Sequence, residues 1–159
     1  GRPQGMDREP PVIDERISPN FHLSELWHSE TATRLAINNY PDAVALAGLR
    51  NFAGPGIQRV RDLLGVPVLI SSGYRGPALN RHVGGSATSQ HMSGLAIDFT
   101  APAFGPPRKV AERLLDYAST IKFDQLILEF DRWVHCSWSS KPRGQVLTIN
   151  HQGTKNGLA

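Results

Sequence analysis

A single cysteine, Cys136, leaves this chain without an internal disulfide to staple it. That fits folding in a reducing cytoplasm. No apolar run approaches the roughly 18–20 residues that cross a bilayer, so no membrane span is expected. Gly1 to Glu9 hold no apolar stretch of the kind that opens a secreted chain, and synthesis in the cytoplasm without a signal peptide is the expectation. Gly1–Gly5 are read as additions ahead of a native Met6 and set aside. Lys and Arg are scattered and form no stripe interleaved with aromatics. Helix-turn-helix, RNA-binding and zinc-finger spacings are all missing. A net charge of +3 suits an anionic polymer, such as nucleic acid or a bacterial wall, but without those signatures nucleic acid is not expected as a partner. There is no internal repeat and no low-complexity segment. What is present is ordinary for a globular protein: 159 residues, 40% hydrophobic and 19% charged, enough for one domain with a real core.

The expected organisation has three parts. Residues 1–20, rich in Pro, Asp, Glu and Arg, read as a flexible N-terminal arm. Residues 21–150 read as the folded domain, and residues 151–159 as a flexible polar tail. Ser24 is placed as the N-cap of a short helix through Trp27. Val44, Ala47, Leu49, Phe52, Ile57, Val60, Leu63 and Leu64 recur at helical spacing from Asp42 onward. Gly54-Pro55-Gly56 predicts a kink or a break, because proline lacks a donor and clashes with the preceding turn. Gly65 reads as the stop. Strands are predicted over Val66–Ser71, Leu95–Thr100, Gln125–Phe130, Trp133–Trp138 and Gln145–Ile149. Short helical stretches are expected at Ala78–His82 and Lys109–Thr120, the latter with Val110, Leu114, Leu115 and Tyr117 as its apolar residues. Helices come early, with strands and one helix later, so the class is α+β, with a small antiparallel sheet and helices packed on one side.

The segment Ser89-Gln90-His91-Met92-Ser93-Gly94-Leu95-Ala96-Ile97-Asp98 carries the chemistry. It sets an imidazole in a loop and a carboxylate on the strand that follows. Gly94 permits a tight entry to that strand. Ala96 shares a face with Asp98, and its small side chain leaves room there for a ligand. Nitrogen and oxygen donors suit Zn²⁺, and a catalytic zinc takes three protein ligands with one position left open. The third ligand is sought among the later histidines, His135 and His151. His135 is favoured because it lies in a strand pair. On alternation, Gln125, Ile127 and Glu129 point one way, and so do Trp133, His135 and Ser137. Glu129 and His135 then share a side of the sheet only if the intervening turn has an odd number of residues, for instance three, with Glu129 opposite His135. A two-residue turn at Asp131-Arg132 would put them on opposite faces. Cys136 faces away from His135 and reads as a buried thiol. His82 reads as a surface residue, and His22 and His28 carry no functional weight.

Ser-x-His-x-x-Gly-x-Ala-x-Asp, followed at a distance by Trp133-Val134-His135, resembles the zinc D-Ala-D-Ala carboxypeptidase family. That family includes D-alanyl-D-alanine dipeptidases and phage L-alanyl-D-glutamate endopeptidases, and it shares the fold of the hedgehog signalling domain. Ser72-Gly73-Tyr74-Arg75 and the stretch Asn80 to Gly85 add to the likeness, which runs from about Phe21 to Ile149. The resemblance implies one Zn²⁺ held by His91, Asp98 and His135. It implies Glu129 as general base, Arg75 as the group binding a substrate carboxylate or the developing oxyanion, and Ser89 as a substrate hydrogen-bonding residue. Trp133 either lines the cleft or simply packs. In several relatives the base lies three residues before the last histidine. That position is Arg132 here, while Glu129 lies six residues before, and Asp131 is the alternative base.

The expected function is therefore a zinc peptidase that hydrolyses peptidoglycan stem peptides, as a phage-type lytic endopeptidase or a D-Ala-D-Ala carboxypeptidase. It would be a monomer, acting on the wall after release from the cell or as part of a virion. The alternative is a non-catalytic zinc module of the same fold, used in binding or virion assembly.

Overall fold

Alternating side chains build the sheet, and the computed structural model shows it over the described residues, 14–159. Its strands are β3 (Leu69–Ser72), β4 (Ala96–Thr100), β5 (Gln125–Glu129), β6 (Trp133–Ser137), β7 (Gln145–Asn150) and β8 (Gly153–Asn156). They lie in the order β3-β4-β6-β5-β7-β8. Every neighbouring pair is antiparallel except β5 with β7. The fold is α+β as expected, with that one parallel pair as the exception. Two parallel strands need a return path, and the β5–β6 hairpin with the loop after it supplies one.

Both ends of the described chain contain regular structure. The arm expected over residues 1–20 lies outside the described residues up to residue 13. From Asp14 onward the chain is packed: β1 (Arg16–Ser18) pairs with β2 (Phe21–His22), and Glu15 meets Arg50 at 2.6 Å. Within residues 151–159, expected as a polar tail, Gly153–Asn156 form strand β8, which pairs with β7 at the sheet edge. All four β8 residues are exposed, so backbone hydrogen bonding holds the strand with no apolar pattern to betray it.

Beyond α1 (Glu30–Arg34), the helical segment after Asp42 runs on through an irregular turn. α2 (Ala43–Gly48) passes through a wide π turn (Leu49–Ala53) into α3 (Gly54–Leu64). The Gly54 N–H bonds to Leu49 O, five residues back, so the kink or break expected around Pro55 takes the form of a π turn between two helices. Gly65 ends α3 in the left-handed conformation at φ 67°. Val44 and Ala47 point to solvent; Ala45, Gly48 and Leu49 form the buried side. Ser24 lies inside a 3₁₀ turn (Leu23–Leu26) whose N-cap is His22, and both its N–H and its hydroxyl bond to Asp14. The first strand of the sheet begins at Leu69, later than expected, and the helical stretch expected at Ala78–His82 is α4 (Pro77–His82). The expected helix Lys109–Thr120 is two helices, α5 (Pro107–Asp116) and α6 (Ala118–Ile121), parted at Tyr117. Leu115 and Tyr117 are exposed; Val110, Ala111 and Leu114 are buried.

The core lies between these helices and one face of the sheet. Ile97, Phe99, Leu126, Leu128, Val134 and Cys136 are each 0% exposed and cluster with Leu49, Ile57, Val60 and Leu114. α2 also fixes the loop that leads into β4. A Cβ on Gly48 would come within 2.1 Å of Ser93 O, and one on Gly94, at φ +70°, within 2.2 Å of Ala45 O. Two glycines thus let helix and loop backbones touch, and that loop carries His91.

Candidate metal centre

The opposite face of the sheet carries the polar cluster. Asp98 on β4 pairs directly with His135 on β6. His91 comes from a 3₁₀ turn (Gln90–Ser93), linked to β4 through Gly94 and Leu95. The Ser89 hydroxyl accepts from the His91 N–H and caps that turn. One ligand atom from each of His91, Asp98 and His135 can be chosen so that all lie within 4.8 Å of one another, and all three residues are buried. Asp98 Oδ1 is 3.2 Å from His91 Nε2 and 2.9 Å from His135 Nδ1. Burial alone would raise the Asp98 carboxyl. Charge and hydrogen bonding from His91 and His135 outweigh it and hold the carboxyl well below the usual range.

The tautomer of His91 bears on whether a metal fits. Its Nδ1 lies 2.8 Å from Gly73 O, and a carbonyl only accepts, so Nδ1 carries the proton. A neutral His91 then turns the lone pair of Nε2 toward the Asp98 carboxylate, acceptor against acceptor. A cation among the three groups resolves that conflict, and a backbone carbonyl orienting a histidine is the usual support of a metal ligand. Two nitrogens and one carboxylate oxygen match a catalytic zinc set. His151, the other candidate third ligand, is exposed in the turn after β7, where its ring meets Phe130 at 5.1 Å. His82 is exposed as expected, and Cys136 is buried in the core on the other face.

The turn between β5 and β6 has three residues, Phe130, Asp131 and Arg132, so Glu129 and His135 do share a face. The register differs in one detail from that expected. Glu129 stands opposite Trp133, and His135 stands opposite Ile127. Glu129 reaches His135 diagonally, with Oε1 3.9 Å from Nδ1. Burial and the charge of Asp98 push the Glu129 carboxyl above its ordinary value, against the pull of His135 and Arg75. Asp131 is exposed in the turn and leans toward Arg108 at 3.5 Å. Arg132 is exposed as well. Phe130 and Asp131 both adopt left-handed backbone, φ 55° and 53°. For a phenylalanine that conformation is strained, and such strain gathers at functional sites.

A cleft of about 790 Å³ opens over this face. Arg75, Ser89, Glu129 and Trp133 line it together with the three cluster residues. The Arg75 backbone N–H bonds to His91 O, and its Nη2 lies 3.5 Å from the Ser89 hydroxyl. Arg75 Nε is buried with no hydrogen-bond partner among the described residues, while the buried indole N–H of Trp133 turns toward the Glu129 carboxylate and pulls its pKa down. Buried orphan donors facing a cleft invite acceptors from a ligand. Sequence reasoning missed Gln90, Gln125, Phe130 and Arg143, which line the same cleft. Gln125 was accessible through alternation, being two positions from Ile127 on the cleft face. Arg143 sits in an irregular loop with no local signal.

A model of the family described as Peptidase M15 matches residues 19–137, a span that includes every residue of the cluster and both cleft-lining strands of the hairpin. No curated protein matches the chain.

Proposed function

Because the chain belongs to the Peptidase M15 family, we propose that it is a zinc-dependent hydrolase of peptide bonds in bacterial peptidoglycan stem peptides, acting as an endopeptidase or a carboxypeptidase. The observation that carries this reading is the buried His91–Asp98–His135 cluster at the floor of an open cleft, with Glu129 beside it. Bound by those three residues, zinc would supply a Lewis acid for the scissile carbonyl and for the attacking water.

The chain's own residues do the rest. Glu129, its carboxyl raised by burial, takes a proton from the attacking water and returns it to the leaving amine. Arg75, placed by its backbone bond to His91 O, offers an unpartnered Nε–H to the substrate carboxylate or to the oxyanion. Trp133 stands directly opposite Glu129 and turns its indole N–H toward that carboxylate, helping to hold it in the cleft. Ser89 acts first as the cap of the His91 turn, and its hydroxyl also faces the cleft. The site of action is the cell wall, reached after release from the cell or within a virion.

The test is to digest purified peptidoglycan with the protein and with Glu129→Gln, and to identify the released termini by mass spectrometry. New amino and carboxyl termini at one stem-peptide bond, lost in the variant while it still binds zinc, would support the assignment. Full activity in the variant would remove Glu129 as the base, and no new termini with either protein would favour a non-catalytic zinc module.

A further inference from the structure

A second anchored cation lines the cleft, away from Arg75. Asp124 immediately precedes β5, and its side chain is only 3% exposed. It collects Arg143 through three groups: backbone N–H at 2.9 Å, Nε at 3.0 Å and Nη2 at 2.6 Å. It also accepts from Gln90 Nε2 at 2.9 Å. Gln90 is the immediate neighbour of His91. Asp124 therefore ties a loop cation to the turn that carries a cluster residue.

These bonds fix what each side chain has left to offer. A carboxylate only accepts, so the Gln90 amide must turn its NH₂ to Asp124 and its oxygen away. That oxygen, Oε1, is buried and has no hydrogen-bond partner among the described residues. Arg143 spends Nε and Nη2 on Asp124, while Nη1 has no partner among the described residues and the side chain is 55% exposed. Gln90 and Arg143 both line the cleft. The leftover pair is thus one buried acceptor and one charged donor, held by a common carboxylate.

We propose that Gln90 Oε1 and Arg143 form a second substrate subsite, which takes a peptide N–H together with a neighbouring free carboxylate. This rests on the peptidase reading above. Strand order places the subsite. Arg75 follows β3, at one edge of the sheet; Arg143 leads into β7, beyond β5; β4 and β6, which carry Asp98 and His135, lie between. A substrate with two carboxylates can therefore be held on both flanks of the reacting bond, with its orientation set by which carboxylate meets which arginine. Stem peptides offer two sources of the second carboxylate, the free α-carboxylate of a γ-linked glutamyl residue and the terminal carboxylate.

The test uses the zinc-loaded protein and three synthetic stem peptides: one with both carboxylates free, one amidated at the γ-linked glutamyl residue, and one amidated at the terminus. In the unmodified protein one amidation should raise KM about tenfold through Arg143, as loss of a charge-assisted hydrogen bond implies. Arg143→Gln should raise KM for the diacid by a similar factor, and should abolish the response to that one amidation while keeping the response to the other. The amidation that ceases to matter names the carboxylate. Thermal unfolding monitors the variant; if it is unfolded, Arg143→Lys, which keeps the ion pair with Asp124 but loses the planar fork, is read in its place. An unchanged KM, or both amidation responses intact in a folded variant, would overturn the subsite and leave the peptidase reading standing. No cleavage of any peptide by the unmodified protein would overturn both.

Discussion

Two faces of one sheet are made from the same strands and do opposite work. On β4, β5 and β6 the inward set, Ile97, Phe99, Leu126, Leu128, Val134 and Cys136, is fully buried under helices. The outward set, Asp98, Glu129 and His135, lies one residue out of phase and faces the cleft. The first set is held by apolar contact, which is non-directional and tolerant of small shifts. The second depends on register, since a slip of one residue would exchange the two sets. The core face therefore supplies the rigidity that the cleft face needs, and the two should fail in different ways when altered.

The largest effect is expected from the cleft face. His135→Ala removes one of the three proposed ligands and should weaken zinc binding by more than about 100-fold, beyond the effect of disturbing a mere supporting residue. Zinc content after dialysis reads this. Metal-free forms of the variant and the parent should unfold at similar urea concentrations, because His135 does not hold the core. Glu129→Gln should keep zinc and lower kcat by about 10²–10⁴, as loss of a general base does. Steady-state rates on a stem peptide check it.

Leu128→Ala tests the other face. Leu128 is 0% exposed, and the truncation should cost about 2–5 kcal/mol by urea unfolding. Zinc stoichiometry should survive at temperatures where the protein is still folded. If Leu128→Ala lost zinc and kept its stability, the division between the faces would be wrong.

The loops that lead into β5 and β7 give a smaller, pH-dependent effect. Hydrogen bonds from Arg143 hold the Asp124 carboxyl down to about 2, from an ordinary value of 3.8. Because the folded value is the lower one, the stabilisation is fully present above pH about 4 and fades as pH falls toward 2. Asp124→Asn should flatten stability across that window, as measured by urea unfolding at stepped pH. The smallest effect lies away from both faces. Lys122 ends α6 in left-handed backbone at φ 59°. Lys122→Gly should stabilise by about 0.5–1 kcal/mol in thermal or urea unfolding, with no change in rate.

Much of this contrast was legible in the chain. Alternation in Leu126–Glu129 and Trp133–Cys136 separates the faces wherever strands are half buried, because the side-chain period of a strand is two. The spacing from His91 to Asp98, with Gly94 between, located the cluster. The rest was hidden for identifiable reasons. β8 has no apolar residue, so only its backbone pairing reveals it. The π turn depends on how the helix meets Pro55, and the break at Tyr117 falls where the apolar spacing still runs on. Asp124, Arg143 and Gln90 are far apart in sequence and follow no period.

By itself, then, the sequence determined which residues could bind a metal and which side of each strand they occupy, since both follow from residue chemistry and local periodicity. Tertiary structure decided which histidine completes the set, which carboxylate stands beside it and where the second arginine lies. Those choices rest on the three-residue turn after Glu129, on the exposed position of His151 and on contacts between distant segments. No local pattern encodes them, because they arise only when the strands are in register and the loops have closed around the cleft.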